Sequence, residues 1–348
     1  MLTGGSPVLQ VHPSRRCNLA CGHCYSLSGP HQAGELPPGL LSGVLEDAAR
    51  LGYLQLAVSG GEPLLYRGLP ELLRQAKALG MLTTLTTNGM LASGARWEVV
   101  APFLDAAAIS IDGIEADHDQ IRGQAGAFRR TVENLESVRS SGVPFGFIFT
   151  LTQFNADSLR PVVELAAQTG ARSVQVHPLS LQGRALEKMP AAQPDQVELL
   201  AALAEARMLN GKEGVRVHVD AITLRQVRAF REQLVPAQPF LVTGLAPVLM
   251  VGADGSILPL AHDIDRRFHL GQIHQAPLAV LASDWLDSRA AEVLAQVCGQ
   301  TWNELASQSD RHAFYWYDEV AARSRIFPPC FPAPLPLGKD LRCPAELR

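Results

Sequence analysis

A short apolar strand followed by a helical segment recurs six times in the first half of this 348-residue chain, and this alternation restricts the possible folds more than any other feature. Parallel strands need long crossover connections, and helices supply them. The sequence therefore predicts an α/β fold around a parallel sheet. The predicted strands, which are rich in β-branched and apolar residues, cover residues 8–13, 55–59, 82–87, 107–111, 144–150 and 173–177.

The unusual residues of this region follow the ends of successive predicted strands. Three cysteines come after the first strand, a Gly-Gly-Glu-Pro turn after the second, Asn-Gly after the third and Asp-Gly after the fourth. Barrel folds collect their active sites at the carboxyl ends of their strands, whereas a doubly wound sheet concentrates its ligand at one switch point. We therefore predict a partial (β/α)6 TIM-like barrel.

The three cysteines, Cys17, Cys21 and Cys24, are separated by three and by two residues. Three thiolates on one loop can hold three irons of a [4Fe–4S] cluster and leave the fourth iron open to a small ligand. A structural zinc site prefers four protein ligands, and no fourth Cys or His follows at the usual spacing. The spacing favours an iron–sulfur cluster, with zinc or inert thiols as the alternatives; His23, between two cysteines, is expected to point away from the metal.

Charge and hydropathy exclude several classes of protein. A net charge of −4, a pI near 6.2 and scattered arginines argue against a broad nucleic-acid surface. The N-terminus lacks the pattern of a signal peptide, and no apolar run reaches the ~18 residues of a membrane span. We expect a cytoplasmic protein that binds neither nucleic acid nor membranes. The remaining cysteines, Cys298, Cys330 and Cys343, are too dispersed to predict a disulfide framework.

The pattern changes after residue 185, which predicts a barrel over residues 1–185 and a smaller α+β extension over residues 186–348. In the extension, Asp254-Gly255 between two apolar runs predicts a β-hairpin over 247–260. The other predicted elements are helices over 196–209, 225–234, 279–297 and 303–324, a strand over 215–219 and a proline-rich tail over 327–336.

The three-cysteine loop and the Gly60-Gly61-Glu62-Pro63 turn, at consecutive strand ends, resemble the motifs of radical S-adenosylmethionine (SAM) enzymes. The resemblance covers roughly residues 8–185. It implies two cofactors, a [4Fe–4S] cluster bound by Cys17, Cys21 and Cys24 and a SAM molecule whose methionine amine and carboxylate chelate the fourth iron. Reductive cleavage of SAM would give a 5′-deoxyadenosyl radical that abstracts hydrogen from a substrate.

The segment from the fourth strand to Phe128 is similar to that of radical SAM enzymes that mature peptides and proteins. By this resemblance Ser110 and Arg122 would bind the SAM carboxylate, Glu62 would take the charge of its ammonium group, and Asp112 would lie near the ribose or the substrate. The full set of implied SAM contacts is Tyr25, Gly60, Gly61, Glu62, Pro63, Thr86, Asn88, Ser110, Asp112, Arg122, Val176 and His177. Asp112-Gly113 as a simple turn and His177 as a core histidine are the alternatives.

The hairpin region resembles the SPASM or twitch extension of many such maturases, but it lacks their cluster-binding cysteines at 242–244 and 260–261. The hairpin would then line a substrate cavity without an auxiliary cluster. Cys298, Cys330 and Cys343 leave three alternatives: a second cluster, incidental buried thiols, or a tail from Cys330 to Cys343 that supplies a hydrogen donor or resolving thiol at the active site.

We therefore expect a radical SAM enzyme that modifies a ribosomally made peptide or protein. Its expected partners are that substrate, a reductant such as flavodoxin or ferredoxin, and a separate leader-binding protein, because the first strand begins by Val8. Chemistry on a small molecule, such as a tetrapyrrole side chain or a sugar, is the alternative. A non-catalytic iron–sulfur protein is a third interpretation, which predicts four cysteine ligands per cluster.

Overall fold

The computed structural model describes residues 6–236 and 241–327. Its strands are β1 Val8–Val11, β2 Gln55–Val58, β3 Leu82–Thr87, β4 Ala106–Ser110, β5 Phe145–Leu151, β6 Ser173–Pro178, β7 Arg216–Val219, β8 Ile222–Thr223, β9 Val248–Val251, β10 Ser256–Pro259, β11 Gly271–Gln272 and β12 Ala313–Phe314. Its α-helices are α1 Pro38–Arg50, α2 Leu69–Ala78, α3 Gly94–Glu98, α4 Ala116–Arg122, α5 Ala127–Ser140, α6 Leu159–Thr169, α7 Ala185–Lys188, α8 Gln196–Leu209, α9 Leu224–Ala229, α10 Arg231–Leu234, α11 Val242–Leu245, α12 Leu278–Asp287, α13 Arg289–Ser307 and α14 Trp316–Ile326.

Strands β1 to β7 lie side by side in chain order, and each pairs in parallel with the next. Because right-handed crossovers in an unbroken order place the connecting helices on one face, the sheet curves in the manner of a TIM barrel and has no switch point. The described strands form an open sheet of ten, in which β7 and β11 are the two edges. This confirms the predicted partial TIM-like barrel.

The predicted hairpin joins the sheet next to β1, on the side away from β7. β9 pairs in parallel with β1, with Val248 opposite Val8, while β10 and β11 continue the sheet in antiparallel pairing. At the far edge β7 pairs with β6. Strands from both sides of residue 185 therefore share one sheet, and the division of the chain into a barrel and an extension stays a prediction.

The central strands bury one face completely, while the residues on the other face are half-buried, as the alternation along β1, β2 and β6 shows. Leu9, Leu56 and Val58 are fully buried, as are Phe147 and Phe149 on β5. The helices outside the sheet contact one another in sequence, α1 with α2 and α5 with α6, so each buries an apolar stripe against the strands and a neighbour. The result places the carboxyl ends of the strands, with their polar residues, at one edge of a rigid core.

The C-terminal helices differ from those predicted. Instead of helices over 279–297 and 303–324, the chain forms α12, α13 and α14. The first break falls at Ser288, whose hydroxyl accepts from the backbone N–H of Ala290 and so caps α13. The second break holds β12, which pairs with β8 in a small sheet that the sequence pattern did not indicate. The helix predicted over 225–234 is likewise divided, at Phe230.

Every helix within the described ranges is too short or too polar to cross a membrane.

Two hydrogen bonds, one buried and one partly buried, connect the barrel to the later part of the chain. The hydroxyl of Tyr53 donates to the carbonyl of Ala246 at 2.8 Å, just before β9. Asp47, on α1, accepts from the backbone N–H of Ala279 at 2.9 Å, at the start of α12. These contacts secure the hairpin strands beside β1, and we expect both parts to unfold together.

Replacing Tyr53 by Phe should lower the free energy of unfolding by about 1–3 kcal/mol, because the buried carbonyl of Ala246 loses its donor. Denaturant unfolding followed by circular dichroism would measure the loss. Tyr66→Phe is the matched control, since the Tyr66 hydroxyl donates to Leu36 at 2.8 Å wholly within the barrel. Both variants should unfold in one transition; a separate early transition in Tyr53→Phe would contradict the proposed cooperativity.

Candidate active site

The cysteines lie on the loop of residues 12–37, between β1 and α1. Backbone hydrogen bonds shape this loop: the N–H of Cys17 donates to Gly29 at 3.1 Å, and that of Cys24 donates to Cys21 at 3.3 Å. The Cys21 side chain is buried, and those of Cys17 and Cys24 are half-buried. All three thiols therefore sit at the carboxyl edge of the sheet, where the strand pattern placed them.

Burial raises the pKa of Cys17 to about 12 and also raises the pKa of Cys21, toward which an Nη of Arg122 points at 3.9 Å. Backbone N–H groups approach two of the sulfurs, from Leu19 to Cys17 at 3.4 Å and from Ser28 to Cys24 at 3.3 Å. Such thiols become thiolates when a metal binds them, because the positive charge of the metal offsets the cost of a thiolate in a buried position.

The three thiols influence one another's pKa but do not converge on a point. Within the described residues no group of three or more His, Cys, Asp and Glu side chains is placed to hold a single metal ion. Three thiols on one loop, with one iron left open, are the donor set of a [4Fe–4S] cluster, whereas a structural zinc site takes four protein ligands.

The glycine pair after β2 packs against the start of the cysteine loop. A Cβ on Gly61 would lie 2.2 Å from the carbonyl oxygen of Arg16. Gly60 has a φ of +103°, and a Cβ placed there would lie 3.0 Å from the carbonyl oxygen of Ser14. The N–H groups of Gly61 and Glu62 donate to Ser14 and Arg16, each at 2.9 Å. Only glycine allows this approach, so the pair serves to hold the cysteine loop against the sheet.

The Glu62 carboxylate is buried and joins the ends of β2 and β3. Its Oε1 accepts from the N–H of Leu64 at 3.1 Å and from the hydroxyl of Thr87 at 2.7 Å, and its Oε2 accepts from the N–H of Asn88 at 3.0 Å. Burial raises the pKa of Glu62, while these donors lower it. Since each carboxylate oxygen accepts about two hydrogen bonds, Oε2 keeps one position for a ligand.

Of the residues near Glu62, some belong to the turn and strand that support it, and one borders the thiols. Pro63 is buried at the start of a short 3-10 turn, and Thr86 is half-buried on β3. The amide of Asn88 donates to the Asn18 side chain at 2.9 Å and lies 3.9 Å from the sulfur of Cys17. Asn88 thus borders the thiols directly.

A buried ion pair lies beside Cys21. Nε of Arg122, on α4, is 2.7 Å from Oδ2 of Asp112, which follows β4, and Nε2 of His23 is 3.7 Å from the same oxygen. Oδ1 of Asp112 accepts from the backbone N–H of Thr150 at 2.9 Å. Burial alone would raise the pKa of Asp112, but Arg122 holds it below its usual value. Ser110, the last residue of β4, is also buried.

The pair is not fully satisfied. Although Nε and Oδ2 are close, their alignment is poor, and neither atom has a well-formed hydrogen bond to any described residue. Buried polar atoms normally have partners. The terminal nitrogens of Arg122 include the one directed at Cys21, so a polar, anionic ligand group beside the thiols fits this position, as the SAM carboxylate does in the sequence-based interpretation.

Tyr25 packs in a cluster with two histidines. Its ring meets that of His262 edge-on at 4.9 Å, and its hydroxyl lies 3.4 Å from Nε2 of His12. The two imidazoles stack at 5.5 Å, and burial lowers the pKa of His12 to about 3. His262 follows β10, so the hairpin brings a residue to the cysteine loop that the sequence did not single out.

The β6 edge carries a second polar group. Val176 is buried, whereas His177 is half-buried and its Nδ1 lies 2.6 Å from Oδ2 of Asp220. His218, on β7, contacts the other oxygen of Asp220 at 3.2 Å. Asp220 was missed, although it follows a predicted strand in the same way as Asn88 and Asp112, and this position was the available signal.

Helix α14 faces the same end of β6. The hydroxyl of Ser180 donates to Asp318 at 2.5 Å. Burial raises the pKa of Asp318 to about 7, and the carboxylate of Asp263 adds to that rise. Burial also raises the pKa of Tyr315, with further contributions from nearby negative groups that include Asp318 and Tyr25. The described C-terminal residues therefore reach the region of the cysteine loop.

Of the three later cysteines, only Cys298 lies within the described residues. Cys298 is buried within α13, and burial raises its pKa to about 12. Cys330 and Cys343, and most of the predicted proline-rich tail, lie outside the described residues. Cys298 has the environment of a core thiol.

Comparison with known proteins identifies the barrel. Residues 11–166 match the family described as the Radical SAM superfamily. This family uses a [4Fe–4S] cluster and SAM.

The chain is 36% identical over 180 residues to the pre-heme d1 synthase of Dinoroseobacter shibae, covering 51% of this chain and 45% of that protein. It is 34% identical over 203 residues to the PqqA peptide cyclase of Ruegeria pomeroyi, covering 56% and 54%. The chain thus aligns with about half the length of these curated relatives.

Among solved structures, SuiB of Streptococcus suis bound to S-adenosylmethionine superposes with a TM-score of 0.67 over 84% of this chain and 68% of that one, at 16% identity. At this identity the likeness establishes the fold. It extends well beyond residue 166 and so includes strands that follow the matched family segment.

Replacing Cys17, Cys21 or Cys24 singly by Ala should abolish reductive cleavage of SAM, because two thiolates are too few to keep a cluster with one open iron. The measurement is iron per chain after anaerobic reconstitution, together with 5′-deoxyadenosine formed with dithionite and SAM. Cys298→Ala is the matched control and should behave as the wild type. Full deoxyadenosine formation in any loop variant would contradict the assignment.

The raised pKa of Asp318 predicts that the stability of the folded protein depends on pH. Its pKa in the folded protein, about 7, exceeds the value of about 3.9 for an unfolded aspartate. The folded state therefore binds the proton more tightly, and the resulting stability is complete below about pH 4 and lost as the pH rises through 7. Asp318→Asn should unfold with a smaller loss of free energy between pH 4 and 8 than the wild type, measured by denaturant titration. The exposed Asp157→Asn control should follow the wild type, and identical profiles for all three proteins would refute the prediction.

Proposed function

Residues 11–166 form a radical SAM domain, and on this basis we propose that the protein is a radical SAM enzyme that modifies a ribosomally made peptide or protein. The observation that carries the proposal is the placement of three buried or half-buried thiols at the carboxyl edge of an open parallel sheet, next to a buried and incompletely satisfied Asp112–Arg122 pair.

Cys17, Cys21 and Cys24 would hold the [4Fe–4S] cluster. When bound, the cluster and SAM supply a reductive cleavage that yields a 5′-deoxyadenosyl radical. Arg122 keeps its planar guanidinium beside Cys21 and would bind the SAM carboxylate, while Asp112 orients that guanidinium and remains a proposed contact of the ribose or the substrate. Glu62 offers the remaining acceptor position of Oε2 to the ammonium group.

The other proposed SAM contacts surround these residues at neighbouring strand ends. Asn88 and Ser110 approach from β3 and β4, and Tyr25 from the cysteine loop. His177 lies on the β6 side and is held by Asp220. The remaining proposed contacts are Gly60, Gly61, Pro63, Thr86 and Val176.

A peptide or protein substrate is supported by the relative that is a PqqA peptide cyclase. We further propose that residues 186–348 act as a SPASM- or twitch-like extension whose hairpin lines the substrate site without an auxiliary cluster. A reductant such as flavodoxin or ferredoxin and a separate leader-binding protein complete the proposed partners.

Tetrapyrrole chemistry is the second candidate, because a relative at 36% identity is a pre-heme d1 synthase. The two candidates differ in what stimulates SAM cleavage. A substrate in the site commits the radical to hydrogen abstraction, so its presence should increase the formation of 5′-deoxyadenosine.

The test uses the reconstituted protein with dithionite and SAM. It compares two kinds of added substrate: synthetic copies of peptides that are encoded next to the gene, and iron–coproporphyrin III. We expect a peptide, but not the porphyrin, to increase deoxyadenosine formation and to lose or gain mass by mass spectrometry. The Cys21→Ala protein is the control and should form none. Stimulation by the porphyrin alone would replace the peptide assignment with the tetrapyrrole one.

A further inference from the structure

The cysteine loop needs support that its own sequence does not provide. Residues 12–37 contain no helix and only isolated β-bridges, yet they must hold three sulfurs in a fixed arrangement. The Gly60-Gly61 pair holds the start of the loop, near Ser14 and Arg16. The segment of residues 21–28, which carries Cys21 and Cys24, requires a different anchor.

Arg184 provides that anchor. Its Nη1 donates to the carbonyl of Cys21 and its Nη2 to the carbonyl of Ser28, both at 2.7 Å. Its backbone N–H donates to the carbonyl of Cys24 at 2.9 Å. One residue thus binds three carbonyl oxygens spread across the segment that holds two of the three thiols.

The residue before Arg184 allows its own segment and the cysteine loop to come into close contact. Gly183 has a φ of +53°, and a Cβ there would lie 2.3 Å from the carbonyl oxygen of Tyr25 and 2.6 Å from that of Cys24. Any side chain would push the loop away. Gly183 and Arg184 follow β6 and lie beyond the matched residues 11–166, and nothing in their sequence spacing relates them to the cysteines.

We propose that Arg184 is a positioning residue for the iron–sulfur cluster, which fixes the Cys21–Ser28 segment through the two-pronged geometry of its guanidinium. This inference rests on the proposed function. The two Nη donors form a rigid planar fork, whereas lysine offers a single ammonium at the end of a flexible stem. Lysine can preserve the charge but cannot span both carbonyls, so the role depends on shape as well as charge.

The same segment connects the loop to the C-terminal helix. Ser180, four residues before Arg184, is bonded to Asp318 of α14. The carbonyls of the cysteine loop are therefore linked through residues 180–184 to the end of the described chain. Outer contacts of this kind typically change metal affinity about 10–100-fold when removed.

The test compares the wild type with Arg184→Lys and Arg184→Gln, all reconstituted anaerobically. The readouts are iron per chain and the rate at which an iron chelator removes it, followed by the loss of cluster absorbance. Two control variants accompany them: Arg139→Lys changes an exposed arginine on α5, and Tyr53→Phe loses a buried hydrogen bond that lies outside the loop. The unfolding midpoint of each iron-free protein is measured in parallel.

We expect both Arg184 variants to lose iron about tenfold or more faster than the wild type, with Arg139→Lys unchanged. The rate should also exceed that of Tyr53→Phe at comparable destabilisation, which separates positioning from general loss of stability. Three results would overturn the inference: wild-type rates in both Arg184 variants, rescue by Lys but not Gln, or rates no faster than in Tyr53→Phe. Failure of the wild type itself to bind iron would instead refute the proposed function.

Discussion

The buried ion pair of Asp112 and Arg122 governs the centre of the site. Removing two charges from water is costly, and the pair is stable only because Asp112 is also bonded to Thr150 and the guanidinium is close to a cysteine sulfur. The pair links β4, β5, α4 and the cysteine loop at one point. Its poorly aligned contact atoms leave hydrogen-bonding capacity beside the thiols, and that capacity gives the site its suitability for an anionic ligand group.

Around this pair, backbone contacts rather than side-chain packing fix the cysteine loop. Gly61 admits the carbonyl of Arg16, and Gly183 admits those of Cys24 and Tyr25, at distances that exclude a Cβ. Glu62 then bonds the turn after β2 to the end of β3 through Thr87 and Asn88. These glycines thus serve first to let another segment of the chain pack closely, and only secondly to let a ligand approach the backbone.

Local pattern and strand order could be predicted from the sequence, because both follow from short-range periodicity. β3 and α8 have the predicted bounds, and the strand-end rule located Cys17, Asn88 and Asp112. The position of β9 beside β1 could not be predicted. The two strands are some 240 residues apart and pair through backbone groups, which leave no pattern in the sequence. The same limit applies to Arg184 and His262, whose partners on the cysteine loop are remote in the chain.

These long-range contacts divide the work of the site between two parts of the chain. The thiols, the glycine turn and the Asp112–Arg122 pair all lie within residues 11–166, the segment that matches the family. The groups that approach them from outside, His262, Tyr315 and Asp318, come from after residue 185. Under the proposed function the first set would generate the radical and the second would contact the substrate. Relatives that act on different substrates, such as a pre-heme d1 synthase and a PqqA peptide cyclase, would then be expected to differ most in the second set.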